Sequence, residues 1–425
     1  MYDELEKWKF HLLLLLILMT GWTLDSMNSG IISGTLTLII KELKMTSEQA
    51  GTVLSSWLVG MLFGAFLIGF MGDRVGRKTA MVSSLFLMGL FSAASALVKQ
   101  WEELALYRFF AGIGSAGYMV AASTLLSEYA PREVRGRMVA ILESAWALGW
   151  LASLLLARMI APSIGWRPVF SAGLLTLILV PVVWLAIPES IRYLLNKGKE
   201  KEARKIAKKI GLRDLPYEEI TEKPKLSELF RGEYLRRTVM LWTHWFCIVL
   251  AYWGIFLWLP HILYARGIAY VRSLEYAITI TLAQIPGYLS AAYLIEKIGR
   301  KKTLTAYMAL AGLGSFFFWS ATSDLESLLF AVAISFFNLG AWGVTYAYTP
   351  ELYPTRLRAT GSGWANSIGR VGGILGPYIV GYLLSTTGSP LVPFLLFAAV
   401  HFVSAVTVAA LGVETMGRSL EEISR

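Results

Sequence analysis

Four charged residues stand inside long apolar runs: Asp25, Arg108, Glu143 and Arg370. A charge in hydrocarbon is costly unless it is paired or hydrated, so such residues mark a path for ions or substrate. Asp25 lies midway through the first run, in Gly21-Trp22-Thr23-Leu24-Asp25-Ser26-Met27-Asn28-Ser29-Gly30. A carboxyl in those surroundings can take up and release a proton during a transport cycle. Its structural alternative is an acid that pairs with an arginine or caps a helix break. Glu143 stands one helical turn before Trp146 on the same face. With Arg108, near the outer end of its run, it completes the proton-coupling candidates. Arg370 is the only cation deep in the second half of the chain. Its planar fork of donors suits a carboxylate, and its alternative is a salt bridge to Glu143 or Asp25.

Aromatic rings that could stack on a flat substrate are Trp146, Trp253, Trp342, Tyr346 and Trp364. With 15 Trp, 19 Tyr and 21 Phe in the chain, most aromatics must face lipid or the interface belts. Gln284, Asn338 and Asn366 are uncharged polar groups within apolar runs, either donors to a small ligand or ties between helices. The four histidines, His11, His244, His261 and His401, are scattered, and no His, Cys or acid cluster has metal-ligand spacing. No Gly-x-x-x-x-Gly-Lys phosphate loop and no nucleophile–base constellation is present. The expectation is therefore no cofactor, no metal and no enzymatic activity.

The elements that must carry these residues are membrane helices. The 425 residues are 56 % hydrophobic and 16 % charged, with mean hydropathy +0.56, too few charges to cover a water-soluble surface of that size. Apolar blocks long enough for the bilayer core, roughly 20 residues each, predict twelve spans. They lie near 10–38, 48–71, 79–98, 103–127, 137–160, 168–187, 238–264, 273–295, 303–321, 326–349, 359–384 and 391–412. The net charge of +10 could suggest nucleic acid, but its distribution excludes that reading. With both termini cytoplasmic, the outer loops hold only Lys41, Lys44, Lys99, Arg158, Arg167, Arg266 and Arg272 of the 39 Lys and Arg. That asymmetry is the positive-inside rule. The first run is too long for a signal peptide and follows Asp3, Glu4 and Glu6, so it is expected to stay as a span. Cys247 is the only cysteine, which leaves no intramolecular disulfide.

The segment Asp73-Arg74-Val75-Gly76-Arg77-Lys78 returns 223 positions later as Glu296-Lys297-Ile298-Gly299-Arg300-Lys301. Glu128, Pro131 and Arg135 return at the same offset as Glu351, Pro354 and Arg358. Two landmarks sharing one offset mark a duplicated unit, the pattern of secondary transporters. The predicted organisation is a bundle over 1–189, a cytoplasmic linker over 190–237 with one or two short amphipathic helices ended by Gly211, and a second bundle over 238–425. Asp73, Arg74, Arg77, Glu128 and Arg135, with Glu296, Arg300, Glu351 and Arg358, are candidate cytoplasmic gate residues. Their acids and bases could lock the halves together inside and release when the halves rock apart. The plainer alternative is topological anchoring of short loops. Clustered glycines, among them Gly60, Gly64, Gly112 and Gly114, predict close helix packing, and Pro286 and Pro377 predict loosened backbone in spans eight and eleven.

Gly72-Asp73-Arg74-Val75-Gly76-Arg77-Lys78 resembles the loop signature of the major facilitator superfamily, and Arg108-x-x-x-Gly112-x-Gly114 is similar to its span-four motif. Pro188-Glu189-Ser190 and Pro350-Glu351-Leu352-Tyr353-Pro354 resemble its sugar-porter and organic-solute branch. The strings around Glu143, Gln284, Asn338 and Tyr346 look like the bacterial niacin transporter family, a relative of the synaptic vesicle protein 2-like and aromatic-acid symporters. The resemblance implies an all-α fold of two six-helix bundles, alternating access, and proton-coupled uptake of nicotinate or a similar aromatic acid by a monomer in the cytoplasmic membrane. The chain departs from that family at Asn28 and near Tyr118, where relatives carry acids. Both positions join the candidate substrate contacts. A transporter of another solute (a sugar, an organic cation or an exported drug) and a non-transporting receptor on the same fold remain the alternatives.

Overall fold

In hydrocarbon no water can satisfy backbone N–H and C=O groups, so a spanning chain closes them within helices. The computed structural model describes residues 2–130, 134–209 and 225–417, and contains no β-strand among them. Eleven stretches are long and apolar enough to cross a bilayer. A further helix of 21 residues, Arg300–Ser320, is diluted by Thr, Gly and Ser.

Two compact units emerge. The first holds α1 (Tyr2–Glu42), α2 (Ser47–Val75), α3 (Arg77–Ala94), α4 (Trp101–Tyr129), α5 (Arg135–Ile164), α6 (Arg167–Phe170), α7 (Gly173–Ala186), α8 (Ile191–Asn196) and α9 (Glu200–Lys209). The second holds α10 (Glu233–Ala265), α11 (Tyr270–Leu282), α12 (Gln284–Lys297), α13 (Arg300–Ser320), α14 (Asp324–Glu351), α15 (Thr355–Thr387) and α16 (Val392–Leu411). Ile39–Ser55, the end of α1 and the start of α2, groups with the second unit. Ser55 Oγ donates to the Ile374 carbonyl at 2.7 Å, and Gly51 meets the backbone at Pro377.

Within the first unit α3 packs on α4 and α7; within the second, α10 packs on α15 and α16, and α13 on α14 and α16. Small residues set the close crossings. A Cβ on Gly112 would meet the Trp57 backbone, and one on Gly60 would meet the backbone of Phe109 and Ile113. Exposed apolar side chains, such as Leu12, Phe66, Ile178 and Leu185, form the outward faces that lipid covers.

The prolines act unequally. Span eight breaks between α11 and α12 at Ala283, three residues before Pro286, whose missing N–H leaves the preceding turn without a ladder bond. Pro377 leaves α15 continuous, and its carbonyl accepts from Trp258 Nε1 at 3.0 Å. In the linker, Ser190 Oγ accepts from the Tyr193 N–H at 3.1 Å and starts α8. In α9, Ala203 and Ala207 are buried while its charged residues face out, with Glu200 and Arg204 paired. Gly211 lies outside the described residues.

The α2–α4 crossing yields a prediction. Gly112→Val should lower the thermal midpoint of the purified protein by about 1–3 °C, since overpacking costs about 1–3 kcal/mol. Differential scanning fluorimetry in detergent checks it, and an unchanged midpoint would refute the tight crossing.

Candidate functional site

In the first unit, α1 and α4 bring Asp25, Asn28, Arg108 and Tyr118 into one buried cluster. Arg108 is 1 % exposed. Its guanidinium donates to the Asn28 carbonyl at 2.8 Å and the Ser29 carbonyl at 3.1 Å, and stands 4.0 Å over the Trp57 ring. Backbone dipoles and a π face therefore hold the cation, with no carboxylate in its ion-pair shell. Asp25 is fully buried, and neither carboxylate oxygen has a hydrogen-bond partner. Ser115 lies beside it, close but outside hydrogen-bond geometry.

Two candidates of this cluster are committed to the protein itself. Tyr118 is fully buried and donates to the Leu18 carbonyl at 2.7 Å. Asn28 Nδ2 donates to the Leu24 carbonyl and to Thr176 Oγ1, both at 2.8 Å, which ties α1 to α7. Its Oδ1 has no partner. Glu143 and Trp146 lie on α5 where it crosses α1. There Ser26 Oγ donates to the Trp146 carbonyl at 2.6 Å, and Gly149 packs against Ser26 and Met27. Glu143 is half-buried and forms no hydrogen bond or ion pair among the described residues.

The second unit supplies an aromatic wall. Trp245 meets Trp342 edge-on with centroids 5.6 Å apart, and meets Tyr346 at 5.7 Å. Trp342 and Tyr346 lie 5.6 Å apart, and Tyr252 joins Trp342 at 5.8 Å and Trp253 at 5.4 Å. Trp245 is fixed by a bond from Nε1 to Thr349 Oγ1 at 3.0 Å, whereas Trp342 Nε1 is buried without a partner. Arg370, on α15, is half-buried, with Tyr346 near enough to interact electrostatically. It forms no hydrogen bond or ion pair among the described residues.

The polar candidates of this unit separate. Asn338 is fully buried and donates to His401 Nε2 at 2.9 Å, while His401 Nδ1 contacts the Phe397 carbonyl at 2.6 Å. That makes Asn338 a tie between α14 and α16. Gln284 is buried at the α11–α12 break with Nε2 unpartnered. Asn366 is half-buried, and Trp364 stacks on Trp242 at 6.2 Å, a separate pair. His244 bridges Ser404 Oγ and Thr345 Oγ1, each at 2.7 Å. Thr345 gives its proton to the Ala341 carbonyl, so His244 donates from Nε2 and accepts at Nδ1.

The gate candidates pair inside each unit. In the first, Arg77 reaches Asp73 at 2.7 Å and Glu128 at 3.6 Å, and Glu128 accepts from Ser190 Oγ. In the second, Arg300 reaches Glu296 at 3.3 Å and Glu351 at 3.2 Å, and Glu351 accepts from Thr415 Oγ1 at 2.5 Å. The loop glycines adopt positive φ, 109° at Gly76 and 97° at Gly299, and let a carboxylate approach closely. Glu189 accepts from the Lys78 N–H at 3.1 Å and Glu414 from the Arg300 N–H at 2.8 Å. Each acid caps a positive helix end. Arg74 stacks on Phe70 at 4.1 Å, and Arg358 donates to the Pro350 carbonyl at 3.0 Å. Pro131 and the Arg135 side chain lie outside the described residues.

Glu189, Glu414, Thr415, Trp245 and Tyr252 were not among the sequence candidates. Val413-Glu414-Thr415 echoes Pro188-Glu189-Ser190, but 225 positions on, two away from the offset of the other landmarks. Nothing in the sequence separates Trp245 from the other tryptophans.

Arg300→Gln should remove the pairs to Glu296 and Glu351 and leave those acids facing each other. Loss of a partly exposed network of this kind should cost about 1–2 kcal/mol, or about 1–2 °C of thermal midpoint. A melting curve indistinguishable from that of the unaltered protein would show the cluster to be idle.

Comparison with known proteins places this geometry. The family model described as sugar (and other) transporter matches residues 13–425. The chain is 39 % identical to the niacin transporter NiaP of Acinetobacter baylyi, covering 99 % of this chain and 98 % of that protein. It is 32 % identical to the 4-hydroxybenzoate transporter PcaK of Pseudomonas aeruginosa, covering 89 % and 86 %. The inward open structure of the xylose transporter XylE from E. coli superposes with a TM-score of 0.78 at 18 % identity, over 97 % of this chain and 99 % of that one, which speaks to the fold alone. The chain belongs to the sugar (and other) transporter family of the major facilitator superfamily, and is a multi-pass membrane transporter.

Proposed function

We propose that this transporter imports a small aromatic carboxylate of the nicotinate type across the cytoplasmic membrane by alternating access, and that proton entry through Asp25 drives the uptake. The observation that carries the reading is Arg370, a half-buried guanidinium with no hydrogen bond or ion pair among the described residues, in the same unit as the Trp245–Trp342–Tyr346 wall. An aromatic carboxylate loses its water on entering such a site. A bidentate guanidinium replaces the water at the charged end, and indole and phenol rings take the flat face. Trp342 Nε1 is a spare donor for a ring nitrogen or a carboxylate oxygen. The niacin and 4-hydroxybenzoate transporters among the relatives carry substrates of this chemistry by name.

Asp25 supports coupling because it is buried, unpartnered and free of an ion pair that would fix its charge. Glu143 is the second acid available for a proton. The reading includes a monomer with both termini on the cytoplasmic side. A second reading, transport of an organic cation, draws on the same unpaired acids and assigns Arg370 no substrate contact.

Radiolabelled nicotinate uptake into proteoliposomes tests both. Uptake should rise with an inward proton gradient, and Asp25→Asn should abolish the stimulation. A gradient-independent rate in the unaltered protein would leave facilitated diffusion. Arg370→Ala should raise KM about 10- to 100-fold, the loss of a charge-assisted pair worth about 1.5–3 kcal/mol. Retention of full nicotinate affinity by that variant would remove Arg370 from the site.

A further inference from the structure

The linker runs into the second unit through a short 3-10 turn, Leu226–Phe230, and then into α10 at Gly232. A recess of about 320 Å³ opens there between the turn and the first residues of α10 and α15. Three arginines line it, Arg231, Arg237 and Arg356, against two acids, Glu228 and Glu233. We propose that this recess binds a phosphate-bearing anion at the membrane surface, either the headgroup of an anionic phospholipid or a soluble phosphate.

Arg237 is the observation that points to a ligand. It is only 4 % exposed. Its Nη1 donates to the Leu352 carbonyl at 3.0 Å and its Nη2 pairs with Glu233 at 3.1 Å, but Nε is buried with no partner. A buried guanidinium N–H left empty is costly, and a bound anion relieves it. Glu233 is a weak neutraliser, since 75 % of its side chain is exposed.

Two further features favour an anion. Gly232, the N-cap of α10, sits at φ 52° and supplies no side-chain cap; the Tyr234 N–H bonds the Arg231 carbonyl at 3.1 Å, and the positive end of the 33-residue helix faces the recess. The Arg231 guanidinium is exposed and forms no hydrogen bond or ion pair among the described residues. Arg356, by contrast, pairs with Glu228. The Lys225 N–H, and after it Arg356, hold the Glu228 carboxyl below its ordinary range, so Glu228 competes with any incoming anion. These groups stand at the start of the candidate span Glu233–Ala265, and the end of a membrane helix is where lipid phosphates are met.

The test uses the full chain in nanodiscs, with thermal unfolding as readout. Phosphatidylglycerol is compared with phosphatidylcholine, and inorganic phosphate with chloride at equal ionic strength. A rise with phosphatidylglycerol alone identifies the lipid headgroup, and a rise with inorganic phosphate in phosphatidylcholine identifies a soluble ligand. In either case Arg231→Gln should weaken apparent binding about tenfold, and Glu228→Gln should strengthen it. Lys208→Gln, in the linker helix α9, should leave it unchanged. No shift with either ligand overturns the proposal. So does an unaltered shift in Arg231→Gln, or an equal loss in Lys208→Gln, which would reduce the effect to general attraction by a basic face.

Discussion

A guanidinium in a membrane interior must be answered by oxygen. In the first unit the carbonyls of Asn28 and Ser29 answer Arg108, and the Trp57 ring covers it. That choice has consequences along the bundle. It fixes α1 against α4 at the level of the functional candidates, and it draws on α1 backbone rather than an α1 side chain. Asp25, one turn earlier, is left without a cation. Had Arg108 taken the carboxylate, Asp25 would be half of a structural ion pair, its charge held in place. Because carbonyls do the work, Asp25 has no ion pair among the described residues.

The same separation of tied and untied groups recurs at the gate. Each unit builds one arginine, two acids, a hydroxyl on the second acid, and a further carboxylate over a positive-φ glycine. Arg77 and Arg300 each bond a loop carbonyl as well, Gly72 at 2.6 Å and Ile295 at 3.0 Å. These contacts close each loop on its own bundle. The sequence pattern suggested acids and bases that lock one half to the other. Among the described residues, Arg77 pairs with Asp73 and Glu128 in the first unit and Arg300 with Glu296 and Glu351 in the second, so each unit carries its own copy of the cluster.

Much of the fold was legible in the sequence because hydrocarbon thickness and the absence of water leave few options. Apolar block length predicts helices, and the 223-residue offset predicts their duplication. The break at Ala283 was legible less exactly, since proline removes a bond belonging to the preceding turn. The candidate site was legible only by residue type. Asn338 and Tyr118 were polar or aromatic residues inside spans, as a substrate contact should be, yet a histidine on α16 and a carbonyl on α1 had already claimed them. Partners so far apart in sequence leave no local pattern. Trp245 was overlooked for the converse reason, since its role at the wall depends on Thr349 holding its indole N–H.

Among the candidate groups that form no hydrogen bond or ion pair with the described residues are Asp25 and Glu143 in the first unit, and Arg370 and the Trp342 indole N–H in the second. A structural group gains by being satisfied, because an unpaired polar atom in a dry interior costs on the order of 1–3 kcal/mol. The same fold gives Arg108, Asn338, Tyr118, His244 and both gate arginines at least one bond each. Their lack of partners is therefore informative in a way that their residue type alone is not. The two acids have only a proton or a cation to receive, and the guanidinium and the indole N–H have only an anion or a lone pair. The proposed cargo, a proton and an aromatic carboxylate, would supply one partner of each kind.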